Sequence, residues 1–317
     1  MSTPAKAAPD DAIVITEVAP RDGLQNEPSD FPTSDKLAFI ARLMDAGLRS
    51  IEAASFVSPR TVPRMADADE LLSGLPALRD MRYSALVPNM KGLERALKAS
   101  VREVAVVLAA TETMNRKNIN MDLAEATATC ESMLLTAAQR GVATRAYIAV
   151  AVECPFEGLV DAKTIETLSA RMARAGAQEI VIADTIGAAA PRQIGGLLKA
   201  VSESVPVSKL AIHLHDTRGM GLANAWAALE AGVRRFDSSA GGIGGCPFAP
   251  GAAGNLATED LVLMAHQCGM ATGVDLPRLY EAIAFAEQVL GRTVGGRSSA
   301  WYRRRLAARS GRPDALS

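Results

Sequence analysis

Two histidines spaced two residues apart carry the strongest chemical signal in the chain. They are His213 and His215 in the stretch KLAIHLHDTRG, and the only other histidine is His266. Leu210, Ile212 and Leu214 give this stretch the look of a buried parallel strand. Side chains two apart on a strand share a face, so both imidazoles would project together past its C-terminal end. On a helix the same spacing would splay the rings apart. The arrangement suits metal ligation, although a strand can also keep two imidazoles as hydrogen-bonded core residues.

Other chemistry-bearing residues also fall at strand ends. Arg21 and Asp22 follow a first strand in EVAPRDGLQNE, Glu52 lies within SIEAASF, and Asp184 ends EIVIAD. Asp237 and Ser239 end RRFDSS, and Cys246 and Asn255 belong to the glycine-rich stretch GGIGGCPFAPGAAGN. A carboxylate inside a core strand is unfavourable unless paired, so Glu52 and Asp184 need cations, and Arg21 and a metal are the available ones. Each residue also has a purely structural reading. Glu52 and Asp184 could form an inert ion network, and Arg21 and Asp22 could close a turn with a surface pair. Cys246 could be a small buried hydrophobe or a thiolate ligand, but its setting between Gly245 and Pro247 suits a proton donor on a moving lid. Asn255 is either a turn residue or an amide-oxygen ligand, and His266 reads as structural.

Two imidazoles, a carboxylate and an amide oxygen make a mixed nitrogen and oxygen site. Such a set suits Mg²⁺ or Mn²⁺, with Zn²⁺ left open. An ion with free positions can chelate a hydroxy- or keto-acid, and a neighbouring arginine can neutralise an enolate as it forms. That combination serves carbon–carbon cleavage or condensation beside a carbonyl.

The elements that must position these groups repeat along the chain. Eight strands are expected at 13–18, 50–56, 82–87, 101–108, 144–152, 179–185, 210–216 and 234–239, separated by helical periodicity. Leu37, Ile40, Leu43 and Met44 follow a Thr33/Ser34 cap, and Leu222, Ala225, Trp226 and Leu229 precede Gly232. DAGLRSIEAASF, RAGAQEIVIADT and EAGVRRFDSS share one pattern, a helix ending at Ala-Gly with a strand soon after. Eight such units predict one α/β domain, a closed (β/α)8 barrel with extra C-terminal helices at 259–268 and 276–290. An open doubly wound sheet is the rival, but no strand leads into GxGxxG. Residues 1–11 read as a flexible tail, 12–292 as the catalytic barrel and 293–317, with Arg303 to Arg305, as a basic tail.

The chain has 317 residues, 49% hydrophobic, with net charge −1, which gives no electrostatic footprint for nucleic acid. No apolar run approaches the ~20 residues of a membrane span, so no membrane association is expected. Cys130, Cys154, Cys246 and Cys268 are too scattered for a disulfide framework, which points to a reducing cytoplasm.

EVAPRDGLQNE, IEAASFVSP, RKNIN, DTIG at 184–187, HLHDT and GGCPFAPGAAGNLATEDLV together resemble hydroxymethylglutaryl-CoA lyase, across residues 13–292 in unbroken order. That family belongs to metal-dependent lyase and synthase TIM barrels that include isopropylmalate and homocitrate synthases. The resemblance implies cleavage of 3-hydroxy-3-methylglutaryl-CoA to acetyl-CoA and acetoacetate, an acyl-CoA substrate and a homodimer or larger homo-oligomer. It implies Asp22, His213, His215 and Asn255 as metal ligands, Arg21 as the enolate stabiliser, and Glu52 and Asp184 as supporting carboxylates. It further implies Cys246 as the loop cysteine and His213 as the usual proton shuttle. Gln25 and Arg218 are expected to contact substrate, while Arg116, Lys117 and Asn118 are suggestive for the CoA phosphates. Where those lyases carry Tyr and then Gly-Gln after HxHDT, this chain has Arg218, Gly219 and Met220. That departure raises a paralogous substrate such as citramalyl-CoA. A synthase is disfavoured by the missing regulatory domain. An amidohydrolase would carry HxH on its first strand, and a non-catalytic scaffold would not need the acid, base and loop residues.

Overall fold

The computed structural model describes residues 12–245 and 254–309. Eight parallel strands close into a barrel: β1 (Val14–Glu17), β2 (Ser50–Ser55), β3 (Arg82–Leu86), β4 (Glu103–Ala109), β5 (Ala143–Ala149), β8 (Glu179–Asp184), β9 (Leu210–Leu214) and β10 (Arg235–Ser238). Pairing runs round the ring without a gap, since β1 pairs with both β2 and β10. The expected (β/α)8 architecture is the one observed.

Helices cover the outside because their apolar stripes need a partner. α1 (Thr33–Asp45) buries Phe39, Ile40 and Leu43. It starts at Thr33 behind Pro32 with no side-chain cap, so the expected Thr33/Ser34 cap is absent; the Thr33 hydroxyl instead donates to Asp67 Oδ2 at 2.8 Å. In α8 (Gly221–Glu230), Ala225 and Leu229 are buried, but Trp226 stays 41% exposed despite its place in the apolar stripe.

Two features lie beyond the sequence reading. β5 stops at Ala149 because Val150 adopts a left-handed φ of 51°, a strained state for a β-branched residue. The chain then turns into a rim hairpin, β6 (Glu153–Cys154) and β7 (Gly158–Leu159). The second feature is a terminal helix, α11 (Ser299–Arg309), in the stretch read as a basic tail. Tyr302 stacks on Tyr280 of α10 (Leu276–Leu290), with ring centroids 3.8 Å apart. Just before it, Asp260 accepts from the Arg297 and Ser298 amides at 2.7 and 2.8 Å. Among the described residues no helix is long and apolar enough to cross a membrane.

Candidate active site

At the C-terminal rim, β1 leads into a wide turn over Ala19–Gly23. The Val18 carbonyl accepts the amides of Arg21, Asp22 and Gly23 at 3.2, 2.8 and 3.1 Å, a local over-widening often found at functional sites. This turn presents Arg21 and Asp22 over the mouth of the barrel. Opposite it, β9 delivers His213 and His215, whose ring centroids lie 5.2 Å apart. Asp22, His213 and His215 each offer a ligand atom within 4.8 Å of the others. Asn255 is brought beside them by an antiparallel bridge to His215, and its Nδ2 donates to Asp22 Oδ2 at 2.8 Å. The four expected ligands therefore meet.

The donor set fits a divalent cation. Asn255 Oδ1 and His215 Nδ1 are buried without hydrogen-bond partners, which is unfavourable unless something positive or donating faces them. Burial would raise the Asp22 carboxyl, but Arg21, the two imidazoles and Asn255 outweigh it and hold it at about 2. Burial and the neighbouring His213 push His215 down to about 3, leaving its ring neutral with a free lone pair. For His213 burial is overcome by Asp237 and Asp22, which raise it. Its Nδ1 lies 3.4 Å from Asp237 Oδ2, without the alignment of a hydrogen bond.

Arg21 reaches both Asp22, at 2.6 Å, and Glu52. Burial opposes its charge, but the two carboxylates raise its pKa above the ordinary arginine value. Glu52 sits at a register shift between β2 and β3, where a bulge re-aims side chains. Arg21, Asp22, Gln25, Asn118, Tyr147, His213 and His215 line a cavity of about 180 Å³.

Asp184, expected as a supporting carboxylate that needs a cation, is satisfied by backbone amides instead. Both its oxygens are occupied by backbone amides, Ala188 at 2.9 Å and Ala189 at 3.0 Å, so it braces the loop after β8 and lies outside the cavity lining. It needs no cation because two N–H donors satisfy it. Arg218 is also outside the lining; its Nη2 donates to Glu153 Oε1 at 2.9 Å on the outer rim. Cys246 lies outside the described residues. His266 is exposed and hydrogen-bonded to Thr272, in keeping with a structural role.

Arg145 and Tyr147 are two members of the buried polar network behind the site that the sequence reading does not include. From β5, Arg145 donates to Glu179 Oε1 and Asp237 Oδ1, both at 2.6 Å. The Tyr147 hydroxyl lies 2.6 Å from Asp237 Oδ2 and 3.3 Å from Glu52 Oε2. Burial would raise Asp237, but Arg145, His213 and Tyr147 hold it well below the carboxylate range. A signal is present: Arg145 and Tyr147 are two apart on one strand and so share its inner face.

A closed parallel barrel with a candidate cation site and a charged arginine at its C-terminal rim defines a metal-assisted enzyme of the carbonyl-chemistry kind. The family model described as HMGL-like matches residues 12–285, and the chain belongs to that family. The chain is similar to the hydroxymethylglutaryl-CoA lyase of Pseudomonas mevalonii, 43% identical over 301 residues covering 95% of this chain and 99% of that one. Its fold matches the crystal structure of hydroxymethylglutaryl-CoA lyase from Pseudomonas aeruginosa with a TM-score of 0.90 and 39% identity, covering 93% and 98% of the two chains. A lyase of the same name from Acinetobacter baumannii, in complex with coenzyme A and 3-methylmalate, matches at TM-score 0.88 and 37% identity over 98% and 99%.

Proposed function

We propose that the protein cleaves 3-hydroxy-3-methylglutaryl-CoA to acetyl-CoA and acetoacetate. The observation that carries this reading is the meeting of Asp22, His213 and His215 in one cavity with Arg21, with Asn255 hydrogen-bonded to Asp22 beside them, in a chain of this family. Asp22, His213, His215 and Asn255 would hold the divalent ion, Mg²⁺ or Mn²⁺ by ligand type. When bound, such an ion supplies Lewis acidity that polarises a substrate oxygen.

The residues of the chain account for the rest. The C3 hydroxyl gives up its proton, the C3 carbonyl forms, and the C2–C3 bond breaks with its electron pair passing to the thioester enolate. Arg21, kept charged by Glu52 and Asp22, faces the cavity where that negative charge develops. His213, braced by Asp237, is the candidate to relay the hydroxyl proton, though an imidazole engaged as a ligand is a poor free base. Cys246 is assigned the return of a proton to C2. Gln25, whose buried Oε1 has no partner beside the cavity, is a candidate substrate contact.

Incubation with Mn²⁺ and a panel of 3-hydroxyacyl-CoA thioesters, following acetyl-CoA and the keto-acid product, tests the proposal. The panel includes citramalyl-CoA, and preference for it would reassign the substrate. Arg21→Met is expected to lower kcat by ~10³-fold while Mn²⁺ still binds; a normal rate would remove Arg21 from the chemistry. Homo-oligomer formation, supported by exposed Trp226, Trp301 and Leu306, is read by light scattering. The free thiols Cys130, Cys154 and Cys268 support a reducing, cytoplasmic setting.

A further inference from the structure

Glu17, the last residue of β1, is fully buried yet takes no part in the cavity lining. Its Oε1 accepts the Ala19 amide at 2.8 Å and the Ala240 amide at 2.9 Å, and its Oε2 accepts the Thr258 hydroxyl at 2.7 Å. Those three donors belong to three separate segments. Ala19 opens the turn that presents Arg21 and Asp22. Ala240 stands at the head of the glycine-rich stretch running to Gly245. Thr258 begins α9 (Thr258–Gln267), three residues after Asn255.

We propose that Glu17 is a positioning residue for the cation site, a single carboxylate that fixes the Asp22 turn against the Asn255 arm. The inference rests on the reading that Asp22 and Asn255 are ligands. These two arms touch directly through the Asn255–Asp22 hydrogen bond, and Glu17 braces them from behind. No arginine or lysine forms an ion pair with Glu17 among the described residues, so its charge is carried by hydrogen-bond donors alone. Burial pushes its carboxyl up to about 7, with Glu259 adding a like charge nearby. An apolar residue here would leave two buried amides and a hydroxyl to find other partners, and would free all three segments at once.

Substitution separates this role from mere filling of the core. Glu17→Gln keeps Oε1 as an acceptor for both amides, and the Thr258 hydroxyl, which already meets Ser238 Oγ at 2.8 Å, can turn to accept from the new amide. Its Mn²⁺ affinity, measured by electron paramagnetic resonance of free Mn²⁺, is expected within threefold of the unsubstituted protein. Glu17→Leu is expected to weaken Mn²⁺ binding tenfold or more, and to lower kcat more than it raises KM. Thr258→Val, losing one of the three bonds, is expected to fall between and serves if the leucine variant does not fold. Folded Glu17→Leu, or Thr258→Val, that binds Mn²⁺ as the unsubstituted protein does would overturn the role of Glu17. Absence of Mn²⁺ binding by the unsubstituted protein would instead overturn the cation-site reading, so the two failures are distinct.

Discussion

Between the strands and the helices, Phe39, Ile40, Leu43 and Ile51 belong to one continuous apolar cluster that follows the whole ring. Inside the ring the apolar cluster is small, comprising Leu86, Ala105, Tyr147, Val181, Ala183 and Ala211 with Val107 against it. The rest of that interior is ionic: Arg145 binds Glu179 and Asp237 and lies 4.0 Å from both Glu52 and Glu103. β2, β5 and β10 are not neighbours in the ring, so these contacts cross the lumen. The outer layer holds the fold by removing apolar area from water. Buried ion pairs add little net stability, yet losing one partner is severe, so the lumen is better understood as a device for holding charges in place.

That contrast can be broken by substitution. Arg145→Met strands Asp237 without its arginine and leaves Glu179 with Arg235 alone; it is expected to lower stability by about 3–5 kcal/mol in urea unfolding, with activity lost as Asp237 and Tyr147 shift. A near-neutral result would mean the lumen is not held by charge. Leu43→Ala, in the outer layer, is expected to lose about 3 kcal/mol while kcat/KM of the folded protein stays within twofold. A large fall in kcat/KM there would erase the division of labour.

A smaller effect sharpens the picture at the rim. His215 is held at about 3 in the folded chain and titrates near 6.5 when unfolded. The unfolded chain therefore binds the extra proton first, and this contribution, fully present above pH 6.5, is lost as pH falls toward 3. The EDTA-treated protein should lose about 1 kcal/mol from this group between pH 7 and 5.5. Comparison with the pH profile of His215→Gln reads out this group together with its coupling to His213, and no difference between the two would refute the assignment. Least of all, Arg218→Ala removes a rim ion pair with a half-exposed guanidinium. It should change stability by no more than about 0.5 kcal/mol and KM by less than twofold, as urea titration and steady-state rates would show.

The outer layer was readable because periodicity reports burial against a partner surface. Ile40 and Leu43 announce the inner face of α1, and eight strand patterns announce the ring. Strand spacing also put His213 and His215 on one face, and resemblance added Asp22 and Asn255 to them. The partners of Asp184 are not legible, because a buried carboxylate looks the same in sequence whether a cation or a pair of loop amides satisfies it. Arg218 was drawn toward the site by its place after HxHDT, but Glu153, on a hairpin that no pattern marked, holds it outside. That hairpin starts from the strained Val150, a residue whose type argues for continuing the strand. Arg145 is masked by a strand made up mostly of core residues, with Tyr147 two positions on as the sign that its inner face is polar.

The two ends of the glycine-rich segment meet main chain to main chain. A Cβ on Gly254 would fall 1.1 Å from the Gly244 carbonyl oxygen, and the Asn255 amide donates to that same oxygen at 3.3 Å. The stem is thus sealed before any residue between the two glycines is counted. Lengthening what hangs from such a stem is cheap, ~0.6 kcal/mol for each doubling. Asn255 is thus anchored by the stem itself, so a change in the length of the segment between the two glycines leaves both the barrel and this side chain where they are.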